Sequence, residues 1–273
     1  TTGVLIVLAL LSVFLPVNDL NIAGMTMSVY NLIFQYILII GSIVALVFLA
    51  VAGNEKRAAA GLTRQNWKSA VLIVLAFVGI YIVRTVVSVA VQGVSDGSGM
   101  QYVKEWAAMF KNPMMWLNIA ALPINYFFVF IAFFGEEYGW RYYLQQVLQK
   151  RFGLRAGVII LGVVWGLWHI PDDLFYYTQT SGIQMIFAQQ ITCISLGIFF
   201  AYAYMKTQNI WVPVCLHYLN NNLIPIISGT FSADVLENQT VSWKDLPVAL
   251  VLNGFGFFLL ADVFKKKEVQ EEE

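Results

Sequence analysis

Two adjacent carboxylates and a guanidinium, Glu136, Glu137 and Arg141, follow a deeply apolar stretch that ends in Phe133-Phe134-Gly135. On a helix, Glu137 and Arg141 are four residues apart, so they share a face and can pair. Glu136 is rotated from Glu137 by about 100° and is left to face something else. The chain has only two histidines, and both also lie in hydrophobic runs: His169 in Trp165-Gly166-Leu167-Trp168-His169-Ile170-Pro171, and His217 in Val214-Cys215-Leu216-His217-Tyr218-Leu219-Asn220-Asn221-Asn222. His217 and Asn221 are again four apart and project from one helix face. A charge inside a membrane helix costs on the order of 2.5–3.5 kcal/mol, so polar residues in such runs ask for a use. A carboxylate that takes a proton from water, with donors that stabilise an oxyanion, makes up the parts of a peptide-hydrolysing site. The plainer readings are an interfacial ion-pair cluster for the acidic motif and a satisfied helix–helix hydrogen bond for each histidine.

The elements that carry these residues are membrane helices. Hydrophobic residues make up 59% of the 273-residue chain and charged residues 12%, against about 25% charged in a soluble domain. A bilayer accepts such a composition because helices satisfy their own backbone there. Hydrophobic runs stand near 3–17, 31–52, 69–91, 116–134, 156–171, 183–204, 210–228 and 246–264, most of them close to the ~20 residues a crossing needs. The expectation is an all-α polytopic bundle of about eight helices, one integral membrane domain over 1–273 with its motif core at 123–228. No basic stretch precedes the first run, which argues against reading it as a signal peptide. Formal net charge is zero, which disfavours a nucleic-acid partner. Cys193 and Cys215 read as small buried apolar residues rather than a disulfide.

Orientation is read from lysine and arginine in short loops. Lys56, Arg57, Arg64 and Lys68 follow the second run, Lys150, Arg151 and Arg155 the fourth, Lys206 the sixth, and Lys265, Lys266 and Lys267 the eighth. These ends alternate as an N-in, C-in topology with eight spans requires. The intervening loops are expected to hold Asp96, Asp172, Asp173, Asp234 and Glu237, with Lys104, Lys111 and Lys244 as exceptions. Gly153, Gly157, Gly162 and Gly166 are expected to permit close helix approach. Arg84, the basic residue inside the third run, can snorkel or pair. The depth of Glu136 depends on where its helix begins: a start near Pro123 puts it at mid-membrane, a start near Met114 close to the cytoplasmic interface.

The pattern Glu136-Glu137-x-x-x-Arg141, then Trp165-x-x-x-His169, then His217-x-x-x-Asn221, resembles the CAAX protease and bacteriocin-processing family, including the Ras-converting type of CAAX prenyl endopeptidase. The order and spacing are the family's, across 136–221. One departure is Trp165, where the family usually has phenylalanine. The resemblance implies a glutamate-type intramembrane endopeptidase without a cofactor. Glu136 would activate water, helped by His169; His217 and Asn221 would stabilise the oxyanion; Glu137 and Arg141 would support the site. The implied partners are the lipid bilayer and a prenylated CAAX protein or peptide, which would lose its last three residues on the cytoplasmic side. Other chemistries stay open. A zinc protease would bind metal through His169, His217 and a carboxylate, although no His-Glu-x-x-His spacing is present. A thiol protease would use Cys215, which points away from His217. A non-catalytic transporter, channel or immunity factor would use the polar cluster structurally.

Overall fold

The computed structural model describes residues 7–254 except 9, 13, 16, 18, 19, 23, 24, 28, 63, 96, 98, 99, 176 and 230–238. Asp96, Asp234, Glu237, the lysines at 265–267 and much of the runs at 3–17 and 246–264 therefore lie outside the described residues. The architecture is helical apart from a small antiparallel hairpin, β1 (Leu20–Ile22) with β2 (Met25–Met27). The helices are α1 (Val29–Val51), α2 (Asn54–Ala59), α3 (Trp67–Ser95), α4 (Met100–Met109) and α5 (Pro113–Glu137). A π-helical segment (Tyr138–Leu144) joins α5 to α6 (Gln145–Phe152). Then follow α7 (Leu154–Trp168), α8 (Ile170–Phe175), α9 (Gly182–Thr207), α10 (Trp211–Ser228) and α11 (Asp245–Asn253).

Among the described residues, four stretches are long and apolar enough to cross a membrane: Trp67–Val91, Pro113–Phe152, Leu154–Phe175 and Gly182–Thr207, with a shorter apolar helix at Gln35–Val51. The expected run at 210–228 does form a helix, α10, but its 18 residues include His217 and the asparagines 220–222, which lower its hydropathy. Large apolar side chains point outward, among them Phe48, Leu72, Phe127 and Phe128. Surface of this kind is stable against lipid rather than water. The chain is an integral membrane protein.

The helix carrying the acidic motif starts at Pro113, where the Asn112 side chain accepts from the Met114 N–H and proline occupies the first turn, its favoured place. Pro123 lies inside this helix, not at its start. Glu136 therefore follows a full bilayer's length of apolar chain. It stands near the end of the bundle where the basic loops gather. That end is tied together by Tyr138 and Tyr142 hydroxyls donating to Ala60 and Ala59 carbonyls, by Asn66 donating to Thr207, and by Asn209 donating to Gln65.

Packing of α7 depends on missing side chains. A Cβ at Gly162 would lie 2.7 Å from the Ile194 Cα, and one at Gly157 would lie 2.6 Å from the Gln149 backbone N. A Cβ at Gly166 would meet the Gln190 side chain at 2.6 Å. These three glycines bring α7 against α9 and α6 as expected. Gly153 differs: nothing lies near it, and its φ of +82° makes it the turn between α6 and α7, a backbone conformation that suits glycine. Aromatic packing fills the centre, where Phe77 of α3 meets Phe199 and Phe200 of α9 at 5.3 and 6.0 Å between ring centroids.

Asp172 and Asp173 do not lie in a loop. The hydrophobic run ends near Pro171, but the chain continues helically to Phe175 as α8, and Asp173 is fully buried. A break at His169, whose N–H bonds the Gly166 carbonyl, redirects the backbone between α7 and α8.

Candidate active site

The acidic motif separates into two faces. Glu137 is fully buried, and its carboxylate accepts from Arg141 Nε at 2.8 Å and from His217 Nδ1 at 2.9 Å. Arg141 is also fully buried, with its guanidinium 5.0 Å from the Trp165 ring and 5.4 Å from the Phe200 ring. Its Nη1 reaches the Gly197 carbonyl at 3.4 Å. The ring at 165 thus packs on the cation, which a tryptophan does as well as a phenylalanine. The expected Glu137–Arg141 pair forms, and it holds a third partner that sequence spacing did not reveal.

Glu136, one residue earlier, is half-buried and faces the other way. It lines a cavity of about 350 Å³ together with His169, His217, Asn221, Asp172, Tyr177 and the apolar Phe133 and Trp168. A neighbouring cavity of about 330 Å³ shares His169, Tyr177, His217 and Asn221 and adds Gln189, Thr192, Cys193 and Asn220. The four residues expected to carry chemistry, Glu136, His169, His217 and Asn221, are therefore brought to one cavity by α5, the α7–α8 break and α10. Glu137 and Arg141 stand behind it. The seven-residue π segment begins directly after Glu137; wide turns of this kind recur at functional sites.

Hydrogen bonds fix which atoms face inward. His169 Nδ1 lies 2.8 Å from the Trp165 carbonyl. A carbonyl only accepts, so Nδ1 carries the proton, and the neutral ring has its lone pair on Nε2. His217 is oriented by Glu137 through Nδ1, again leaving Nε2. Asn220 Nδ2 donates to Asn221 Oδ1 at 2.8 Å, and Tyr81 donates to Asn220 Oδ1 at 2.9 Å. This chain occupies the Asn221 oxygen and leaves its Nδ2 as the donor. Pro225, inside α10, lacks the N–H that would bond the Asn221 carbonyl, so the helix is opened locally beside the cavity.

Several wall residues escaped the sequence reading. Asp172 and Tyr177 were hidden by the apparent end of the run at Pro171; the available signal was a carboxylate three residues after a motif histidine. Burial and the neighbouring Asp172 carboxylate push the Tyr177 phenol well above its ordinary range, so it is a neutral donor. Cys193 Sγ lies 3.7 Å from His169 Nδ1. Cys193 and Cys215 are both free thiols. Cys215 is absent from the walls of both cavities. Arg84 is half-buried with its guanidinium 5.1 Å from the Tyr81 ring. Among the described residues, no three His, Cys, Asp or Glu side chains group so as to hold one metal ion.

A third cavity, about 550 Å³ and mainly apolar, lies between α1 and the π segment, lined by Leu38, Gly41, Ala45, Tyr138, Trp140 and Leu144 among others. Glu136 and Trp168 belong to both this groove and the polar cavity. The approach of α1 to α5 here depends on Gly135, where a Cβ would run into the Ser42 side chain.

A membrane-embedded helical bundle with a paired-glutamate motif, two inward histidines and an asparagine defines a class, and comparison agrees. Residues 117–223 match the family described as Type II CAAX prenyl endopeptidase Rce1-like. A curated relative, CAAX prenyl protease 2 of Methanococcus maripaludis, is 27% identical over 125 residues, which is 42% of this chain and 45% of that relative. The match thus spans less than half of the relative's length.

Proposed function

We propose that this protein is an intramembrane endopeptidase of the glutamate type that removes the C-terminal tripeptide from prenylated proteins. The observation that carries the reading is the convergence of Glu136, His169, His217 and Asn221 on one small cavity, with Glu136 making no ion pair there among the described residues. Glu136 takes a proton from a water molecule as the hydroxide attacks the scissile carbonyl. His169 accepts from the same water through Nε2. Charge develops on the carbonyl oxygen, and Asn221 Nδ2 donates to it. His217 donates from Nε2 as an imidazolium, for which Glu137, itself fixed by Arg141, is the counter-ion. The proton held by Glu136 then passes to the leaving amine.

The match of 117–223 to the Rce1-like family supports the peptidase class. The apolar groove beside Glu136 supports the prenyl assignment, because it offers an isoprenoid chain a place next to the reacting carboxylate. The gathering of Lys56, Arg57, Arg64, Lys150, Arg151 and Lys206 near one end supports a cytoplasmic assignment for that end. The deciding experiment is cleavage of a farnesylated CAAX peptide by the purified protein, with an unprenylated control. Release of the tripeptide from the farnesylated peptide is expected. Activity is expected to survive strong chelation. Zinc at one per chain, with activity lost on removal and regained on addition, would replace the glutamate mechanism by a metal-dependent one.

A further inference from the structure

Arg84 has no part in the mechanism above, yet it lies well inside the apolar span Trp67–Val91. Among the described residues its guanidinium makes no ion pair or hydrogen bond, and its Nε is buried. A cation left unpaired at such a place is costly and asks for a partner. Snorkelling does not account for it. A snorkelling arginine turns its head toward the nearer boundary, here the end at Val91. The Arg84 guanidinium instead lies 5.1 Å from the ring of Tyr81, three residues back along α3, so the side chain is turned into the span.

Helix geometry fixes what Arg84 stands beside. α3 and α9 run in opposite directions, because Asn66, just before α3, donates to the carbonyl of Thr207, the last residue of α9. Between these ends Phe77 meets Phe199 and Phe200. Arg84 is two turns beyond Phe77, on the same face and about 10.5 Å further along. Two turns back from Phe199 along α9 stands Thr192, which lines the second polar cavity. Tyr81 ties the same level to α10: its ring carries Arg84, and its hydroxyl donates at 2.9 Å to Asn220, another wall residue of that cavity.

This second cavity shares His169, His217 and Asn221 with the catalytic one but not Glu136. The apolar groove offered to the isoprenoid adjoins the catalytic cavity on the side of Glu136. With the lipid of the cysteine in that groove, the chain beyond the scissile bond continues away from Glu136, into the second cavity. Among the described residues its walls carry no Asp, Glu, Lys or Arg; they combine Gln189, Thr192 and Gln239 with Met185 and Leu196. Such walls suit a peptide backbone with aliphatic side chains, and they leave its terminal carboxylate without a counter-ion. Three extended residues span about 10 Å, enough to carry that carboxylate from Asn221 past Asn220 to the level of Arg84.

We propose that Arg84 determines specificity for a free C-terminus by pairing with the terminal carboxylate of the substrate, whose last three residues occupy the second cavity. The inference rests on the peptidase reading and names what that site recognises in the leaving peptide. A guanidinium holds a carboxylate through two parallel charge-assisted hydrogen bonds. A terminal amide brings no charge to Arg84, and one added residue carries the carboxylate about 3.5 Å past it.

The test uses the purified full chain and three farnesylated CAAX peptides, alike except that one ends in a free carboxylate, one in an amide and one in an additional residue. Both kcat/KM and equilibrium binding are measured. Wild type is expected to favour the free acid over the other two at least tenfold, carried mainly by KM. Arg84→Gln should bring the acid-to-amide ratio close to one, by lowering only the acid's kcat/KM, and its melting temperature should not fall, because it removes an unpaired charge from the span. Arg84→Lys keeps the charge without the fork and should retain an intermediate ratio. The wild-type ratio alone can overturn the proposal, so misfolding of a variant does not protect it. Acid and amide cleaved equally well, or a preference that Arg84→Gln leaves intact, sinks the Arg84 assignment and leaves the peptidase reading standing. Acid-selective binding that Arg84→Gln removes, with no peptide cleaved, keeps Arg84 as a carboxylate-binding residue and sinks the peptidase reading.

Discussion

Adjacent glutamates have opposite fates because one helical step turns them about 100° apart. Glu137 faces protein and finds two partners; Glu136 faces a cavity and finds none among the described residues. Their variants should separate accordingly. Glu136→Gln is expected to abolish cleavage with the melting temperature near wild type, and full activity in it would remove the glutamate mechanism. Glu137→Ala leaves Arg141 and His217 without their shared counter-ion, and breaking a buried pair from one side costs about 3–5 kcal/mol. It should lower both thermal stability and activity; thermal unfolding beside turnover reads the difference. Asn221→Ala should cost on the order of 10²–10³ in turnover with little change in peptide affinity, the size of one lost oxyanion donor. Normal turnover per folded molecule would show Asn221 to be structural. Asp173 offers a contrasting case. It is fully buried, and neither carboxylate oxygen has a hydrogen-bond partner among the described residues. Burying an unpaired charge is costly, and asparagine has the same shape without it. Asp173→Asn is therefore expected to hold or raise the melting temperature, and a fall of several degrees would reveal an ionic partner.

At the scale of elements, α7 matters most, because it ends at His169 and packs through glycines. Its spacing was readable: glycines at 157, 162 and 166 within an apolar run announce close approach. Gly162 faces the α9 backbone at Ile194 and lies against Gly197. A valine there must push two helices apart, and overpacking of this kind typically costs about 1–3 kcal/mol. Gly162→Val should lower the melting temperature and, by tilting α7, displace His169; turnover should fall even at temperatures where the variant is fully folded. Unchanged turnover in the folded variant would mean that the α7–α9 contact does not position the histidine. The π segment and the α7–α8 break were not readable. Both depend on how the chain meets its neighbours, and local propensity carries no mark of either.

For the whole molecule, the orientation read from the basic loops is a proposal that labelling can test. Tyr138 and Tyr142 are linked to Ala60 and Ala59, Asn66 to Thr207 and Asn209 to Gln65 by side-chain hydrogen bonds at one end of the bundle. At the opposite end, Trp106 donates to the Ile227 carbonyl. Single cysteines placed at Arg151 and Lys206 are expected to resist a membrane-impermeant thiol reagent added outside intact cells, while one at Lys111 is labelled. Labelling at 151 or 206 would reverse the proposed orientation. This outcome does not depend on catalysis.

Composition and spacing together determined a great deal. A chain with 59% hydrophobic residues has to place that surface against lipid, and helices are the form that satisfies the backbone there. Four-residue spacings determined the Glu137–Arg141 pair and the shared face of His217 and Asn221, because helix geometry is local. Tertiary structure alone decided the rest. That Glu137 clamps His217, 80 positions away in sequence, and that Asp172 joins the wall of the cavity are matters of how separate helices meet. A run of hydropathy ends where polar residues begin, so it assigned Asp172 and Asp173 to a loop. Whether such residues leave the membrane or turn inward depends on the partners waiting for them across the bundle, and those partners are distant in sequence.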